Sequence, residues 1–255
     1  MKILIVESET PELLQHTGNS LAHSYGEELK TLDSDVQVAI SEPYRNGFVI
    51  DDLAEIDAVV FPGAGVSWSA DDPQGQPLAH AMEMVFERGL PCFGSCNGLQ
   101  LAAVLLGGRI MTAAPEVGIA RNVTLTDVGK VHPMMKGRRT VFSAPTVHAD
   151  QVVELPDGAQ HLAYNEHTQF QAFAYEANGV NFWGVEYHPE LSIRSIGEYI
   201  DANRAKFDGY LQLVDDLLDA QSSEAAAARL GSSIDELARP ARTLELQNWL
   251  SFVKG

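Results

Sequence analysis

Cys96 lies in the run Gly94-Ser95-Cys96-Asn97-Gly98, with an apolar stretch leading in and a helical apolar pattern leading out to Gly108. A nucleophile on a sharp strand-to-helix turn needs small neighbours two residues to either side, because a Cβ there would collide in the strained corner. The two glycines meet that need. The following helix points its free N–H groups and positive end at the sulfur, which predicts a stabilised thiolate and a lowered pKa. The Asn97 N–H is then placed to serve an oxyanion. The plainer reading of the same residues is an inert buried cysteine at a tight turn.

A cysteine nucleophile needs a base, and the base needs an orienting partner. The run Gly-Val-Glu-Tyr-His-Pro-Glu (184–190) supplies both. His188 and Glu190 are two apart, so in extended chain they point to the same side. Pro189 pushes His188 away from helical geometry. The motif ends a predicted strand, where parallel sheets carry their sites.

The elements that must position these groups are legible as alternating apolar runs. Residues 2–7, 36–40, 57–63 and 90–95 read as strands buried on both faces, with helices over 20–32 and 76–89 between them and one over 97–108 after the last. That alternation predicts a parallel sheet with right-handed crossovers. After Gly108 the texture turns to short β-rich runs at 119–127, 139–150, 159–166 and 170–189. These predict antiparallel ribbons, with an Asn-Gly hairpin turn at 177–180 and a last strand returning to the sheet. From Ser192 the pattern is helical. Gly231 reads as a C-cap, and Ser233 with Glu236 as a capping box.

Composition narrows the function classes. A formal charge of −18 over 255 residues repels phosphate backbones, so neither nucleic acid nor an anionic membrane surface is expected as partner. No apolar run approaches the length of a membrane span, and the start reads as a first strand rather than a secretory signal. The two cysteines, Cys92 and Cys96, lack His or Cys partners at metal-ligand spacing. No metal or cofactor is expected, Cys92 reads as core, and a reducing cytoplasm is the expected location.

Taken together, these motifs resemble those of the class I glutamine amidotransferases, the type with a Cys-His-Glu triad. Residues 91–108 resemble that family's nucleophile elbow, and Trp183–Glu190 its His-x-Glu motif. Residues 59–65 resemble its oxyanion turn, and 144–163 a region of the amidotransferase half of GMP synthase. The resemblance covers about residues 1–200 and is greatest to stand-alone GMP-synthase-like amidotransferases. It implies an α/β fold with a mostly parallel, flavodoxin-like central sheet flanked by helices, an antiparallel ribbon insertion and a C-terminal helical extension. The expected division is an amidotransferase domain over 1–205 and a helical extension, 206–255, packed on it; a docking or dimer surface is its second reading.

The resemblance also implies roles. Cys96 would attack the side-chain carbonyl of glutamine to form a γ-glutamyl thioester. His188 would move the proton, and Glu190 would hold the imidazole. Backbone N–H groups of Asn97 and of the Gly63-Ala64-Gly65 turn would form the oxyanion hole. Gln100 and the backbone around Val147, His148 and Ala149 would line the glutamine pocket. This chain departs from the family pattern at Asn97, often Leu, Tyr or Trp; at Ala64, often Gly; and at Ala149, where a His-Gly-Asp run is usual. Glu7, Ser8, Glu9 and Thr10 follow the first strand at the end where sites lie, and Trp68 follows the oxyanion turn. Each is read either as a substrate contact or as ordinary structure.

Three functions are then expected in order. The first is a glutaminase handing ammonia to a separate synthetase, since no synthetase nucleotide loop occurs in these residues. The second is a stand-alone hydrolase of a γ-glutamyl amide or amine. The third is a silent regulatory subunit. Each is compatible with a homo-oligomer.

Overall fold

Strands β1 (Lys2–Val6), β2 (Gln37–Ser41), β3 (Ala58–Phe61) and β4 (Pro91–Ser95) pair in parallel in the order β2-β1-β3-β4. The computed structural model describes residues 1–18 and 20–255. β9 (Val180–Val185) lies parallel against β4, so the strand carrying the approach to His188 adjoins the strand carrying the approach to Cys96. The central strands read as unbroken apolar runs because both of their faces are covered. Ile3, Ile5, Val60 and Phe93 pack with Tyr25 and Leu29 of the helix Leu21–Leu32 on one side. Leu4, Val59, Phe61 and Cys92 pack on the other with Met82 and Val85 of the helix Gln76–Glu87 and Leu99 of the helix Asn97–Leu105.

Four antiparallel strands continue the sheet beyond β9. These are β8 (Ala172–Ala177), β7 (Gln160–Tyr164), β5 (Arg109–Leu125) and β6 (Val141–Glu154), and the full order is β2-β1-β3-β4-β9-β8-β7-β5-β6. The expected ribbons therefore join the parallel half edge to edge in one mixed sheet. The hairpin turn falls at Asn178 (φ 54°) and Gly179 (φ 82°), both positive as an Asn-Gly hairpin requires. β5 begins ten residues before its expected start. Register shifts at Thr112/Glu116 and Ala120/Val123 break its alternation, so period-2 reading misses the first half.

The C-terminal residues pack in two places. Ile196 and Ile200 of the helix Ile193–Ala202 share a cluster with Leu217, Ala227 and Leu237. The helix Leu244–Lys254 sends Leu246, Trp249 and Leu250 into the sheet's own core, with the Trp249 ring 5.7 Å from that of Phe93. The capping box at Ser233 forms by halves. Its hydroxyl accepts from Glu236 N, but the Glu236 carboxylate turns to Ser143 and Arg139 instead of back to Ser233.

Candidate active site

Cys96 stands between β4 and the helix Asn97–Leu105 with φ 48° and ψ −110°, a left-handed conformation that costs a non-glycine residue on the order of 1–3 kcal/mol. Backbone bonds on both sides hold it there: Cys96 N donates to Val185 O (2.9 Å), and Gln100 N donates to Cys96 O (3.0 Å). The flanking glycines are required sterically. A Cβ on Gly94 would stand 2.8 Å from the Gly98 carbonyl carbon, and one on Gly98 would stand 2.9 Å from that of Phe61.

His188 reaches the thiol from the end of β9. Its N–H donates to Pro145 O (2.9 Å), which ties the motif to β6. Its Nδ1 lies 2.7 Å from Glu190 Oε1, and its ring stands beside Cys96, near enough for the two groups to shift each other's pKa. All three side chains are nearly or fully buried. Burial alone would depress the imidazole, but Glu190 and the sulfur outweigh it and hold His188 well above the usual histidine range. The lowered thiol pKa expected from the helix terminus is not what the site gives. Burial pushes Cys96 up, and the His188 contact and the Asn97 N–H offset only part of that rise. Behind the pair, the fully buried Tyr25 hydroxyl lies beside Glu190 and Ser95, and its own pKa is raised well above normal by burial and by the Glu190 charge.

The turn after β3 borders the same pair. A Cβ on Gly63 would stand 2.7 Å from His188 Cε1 and 3.4 Å from Cys96 Cβ. The Gly65 N–H, however, donates to Glu9 Oε1 at 2.7 Å. That donor is engaged in this arrangement, whereas Gly63, Ala64 and Asn97 are the other expected backbone donors. Ser8 Oγ donates to Pro62 O (3.3 Å) from the same loop. Trp68 is half-buried with its ring 6.4 Å from Tyr44, and the two line a tight cleft against Asn97.

On the β6 side, the Val147 carbonyl lies 4.0 Å from Cys96 Sγ, and Ala149 is half-buried. The other two expected pocket residues turn inward. Gln100 spends both amide hydrogens on Asp150 O (2.8 Å) and Glu186 Oε1 (2.7 Å). His148 places Nδ1 2.9 Å from Asp150 O and Nε2 3.1 Å from Glu116 Oε2. Both of its nitrogens face acceptors, which fits an imidazolium. Burial opposes that charge, but Glu186, Glu116 and the Asp150 carbonyl raise the His148 pKa above normal. Burial would lift Glu116 too, yet His148 and the amides of Asn165 and Gln171 hold it below the ordinary value. Fully buried Glu186 is pushed up to about 7, by burial first. This network was missed in the sequence, although Glu186 stands two residues before His188 and the alternation that selects Glu190 selects it as well.

The glutamine amidotransferase class-I family profile matches residues 14–206. A γ-glutamyl-L-1-hydroxyisopropylamide hydrolase from Pseudomonas sp. is 30% identical over 202 residues, covering 75% of this chain and 68% of that protein. One of the subunits of the glutamine-hydrolysing GMP synthase from Saccharolobus solfataricus is 30% identical over 179 residues, covering 70% of this chain and 88% of that one. Among solved structures, a glutamine amidotransferase from Thermotoga maritima superposes with a TM-score of 0.69 at 17% identity, over 99% of this chain and 97% of the other.

Proposed function

The chain belongs to the class I glutamine amidotransferase family, and from that premise we propose that it cleaves a γ-glutamyl amide through a thioester on Cys96, with His188 and Glu190 completing the triad. The observation that carries this reading is the strained, doubly anchored Cys96 beside an imidazole that Glu190 holds at 2.7 Å. Glu190 makes His188 a stronger base, so the imidazole takes the thiol proton as Sγ bonds to the amide carbon. The developing oxyanion is met by the N–H groups of Asn97 and of the Gly63–Ala64 turn. The C–N bond then breaks, and His188 returns the proton to the leaving nitrogen. Water, deprotonated by the same imidazole, hydrolyses the thioester to glutamate and free thiol.

With glutamine as substrate the leaving group is ammonia, and likeness to the GMP synthase protein of Saccharolobus supports delivery to a separate synthetase. A second reading, hydrolysis of a γ-glutamyl amine without a synthetase, is favoured by the 202-residue match to the Pseudomonas hydrolase. Glutamate release from glutamine and from a panel of γ-glutamyl amines separates the two. Fast turnover of one γ-glutamyl amine by the chain alone selects the hydrolase. Turnover of glutamine alone, slow until a synthetase is added, selects ammonia supply. Hydroxylamine should trap the γ-glutamyl group as a hydroxamate in either case, and a Cys96→Ala protein that still hydrolyses the amide would sink the mechanism.

A further inference from the structure

The loop after β1 grips the turn after β3 at two points. Ser8 Oγ donates to Pro62 O at 3.3 Å, and Glu9 Oε1 accepts from Gly65 N at 2.7 Å. These two contacts bracket the Gly63–Ala64 peptide from both ends. Gly63 in turn backs directly onto the Cys96–His188 pair, with room for neither a Cβ nor a shift toward the imidazole. We propose that Ser8 and Glu9 are positioning residues that clamp the oxyanion turn, so that the Gly63–Ala64 backbone keeps its N–H groups toward the Cys96 thiol. The proposal rests on the reading of Cys96 as the nucleophile.

The construction of the loop favours this role over direct substrate contact. Ser8 is 1% exposed and Glu9 7%, so neither carboxylate nor hydroxyl meets solvent at the mouth of the site. Glu7 fixes the loop from beneath, accepting from Glu9 N (3.1 Å) and from Ser20 Oγ at the start of the helix Leu21–Leu32. Glu9 Oε2 is buried with no hydrogen-bond partner among the described residues. A carboxylate kept in so poor a setting is costly, and the one strong bond it makes is to the turn. Burial pushes Glu9 up to about 7; the Glu7 charge adds to the rise, and Gly65 N–H and Lys206 oppose it, while Tyr44 is the further titratable group facing it. The ionised form is the stronger acceptor, so the clamp weakens as pH falls through that region.

The test compares Ser8→Ala, Glu9→Ala and Glu9→Gln in the full chain. Four readouts are used: kcat and KM for amide hydrolysis from pH 6 to 8.5, alkylation of Cys96 by iodoacetamide, amide hydrogen exchange of residues 63–66, and melting temperature. Glu9→Ala should lower kcat about 10- to 100-fold, as loss of an aligned oxyanion donor does, with KM and alkylation changed less than about threefold. Glu9→Gln keeps a non-titrating acceptor, so it should recover most of the lost kcat and flatten the acid limb. Exchange at 63–66 should quicken in Glu9→Ala and Ser8→Ala. Unchanged exchange, or kcat and alkylation falling together with melting temperature, would overturn the clamp. Should the wild type show no Cys96-dependent turnover, the nucleophile reading fails and the oxyanion role with it; the exchange data then report only whether the two contacts hold the turn.

Discussion

In the proposed mechanism Glu190 acts on Cys96 only through the imidazole between them, and its charge is the part that matters. Glu190→Gln keeps an oxygen 2.7 Å from Nδ1 but removes the charge that overcomes burial at His188. The imidazole then becomes a weaker base, and kcat should fall on the order of 10²- to 10⁴-fold with KM nearly unchanged. Steady-state assays at pH 7 check this, and a loss smaller than about tenfold would remove Glu190 from the triad. Glu186 makes a second, separable prediction. Its pKa rises on folding from the ordinary 4.5 to about 7, so the native state binds the proton more tightly than the unfolded chain does. The associated stability is present below pH 4.5 and is lost as pH rises through 7. By pH 8 the buried charge costs roughly 3 kcal/mol. Glu186→Gln should therefore melt progressively higher relative to wild type between pH 5 and 8, and a pH-independent difference would contradict this. His188 and Glu190 were legible because extended chain alternates. Glu116, Asn165 and Gln171 were not, since only the fold brings Glu116 onto His148 and the Asn165 and Gln171 amides onto Glu116.

At the scale of elements, the elbow is where local sequence states its geometry most directly. Gly94 and Gly98 announced a corner in which backbone meets backbone, and Gly98 does press against the Phe61 carbonyl. Backbone cannot rotate away as a side chain can. Gly98→Ala should cost about 1–3 kcal/mol, or roughly 2–12 °C in melting temperature, and should displace Cys96 enough to abolish turnover. Gly209→Ala is the internal control: no heavy atom of the described residues lies within 4 Å of its Cβ position, and stability should stay within about 0.5 kcal/mol of wild type. Equal losses from the two would mean that the elbow tolerates a methyl group. The parallel half was legible for the same local reason, being made of unbroken apolar runs separated by helices. The start of β5 was not, because its bulges interrupt the period that identifies a strand. The clamp of Ser8 and Glu9 on the oxyanion turn was also hidden. Polar residues after a strand look alike whether they face water or hold a neighbour, and 54 to 56 residues separate the partners.

Across the whole molecule, the His-x-Glu motif is held from behind by the C-terminal residues. Glu186, His188 and Glu190 line the candidate site, while the Tyr187 hydroxyl and the Pro189 carbonyl turn to the C-terminal residues. The Tyr187 hydroxyl donates to Glu245 Oε1 (2.9 Å), which Arg138 also binds, and the Arg242 guanidinium reaches Pro189 O and Glu28 Oε1 (2.6 Å to the latter). Residues far outside the motif therefore fix the backbone on both sides of the imidazole, through contacts that no local pattern announces. Arg242→Met removes a buried cation and leaves Glu28, among the described residues, with only the half-exposed Arg239 as partner. Breaking one side of a buried pair costs about 3–5 kcal/mol, so the single variant should melt several degrees lower. Replacing both partners by apolar side chains of similar volume removes the uncompensated charge, so Arg242→Met with Glu28→Met should regain most of the lost stability. The double variant still has no donor for Pro189 O. If that contact sets His188, kcat should remain depressed by about tenfold or more after stability has recovered, with KM little changed. Melting curves and steady-state kinetics on the two variants separate these effects. Full recovery of kcat along with stability would show that Arg242 supports the fold alone and leaves the imidazole to be placed by Glu190 and Pro145.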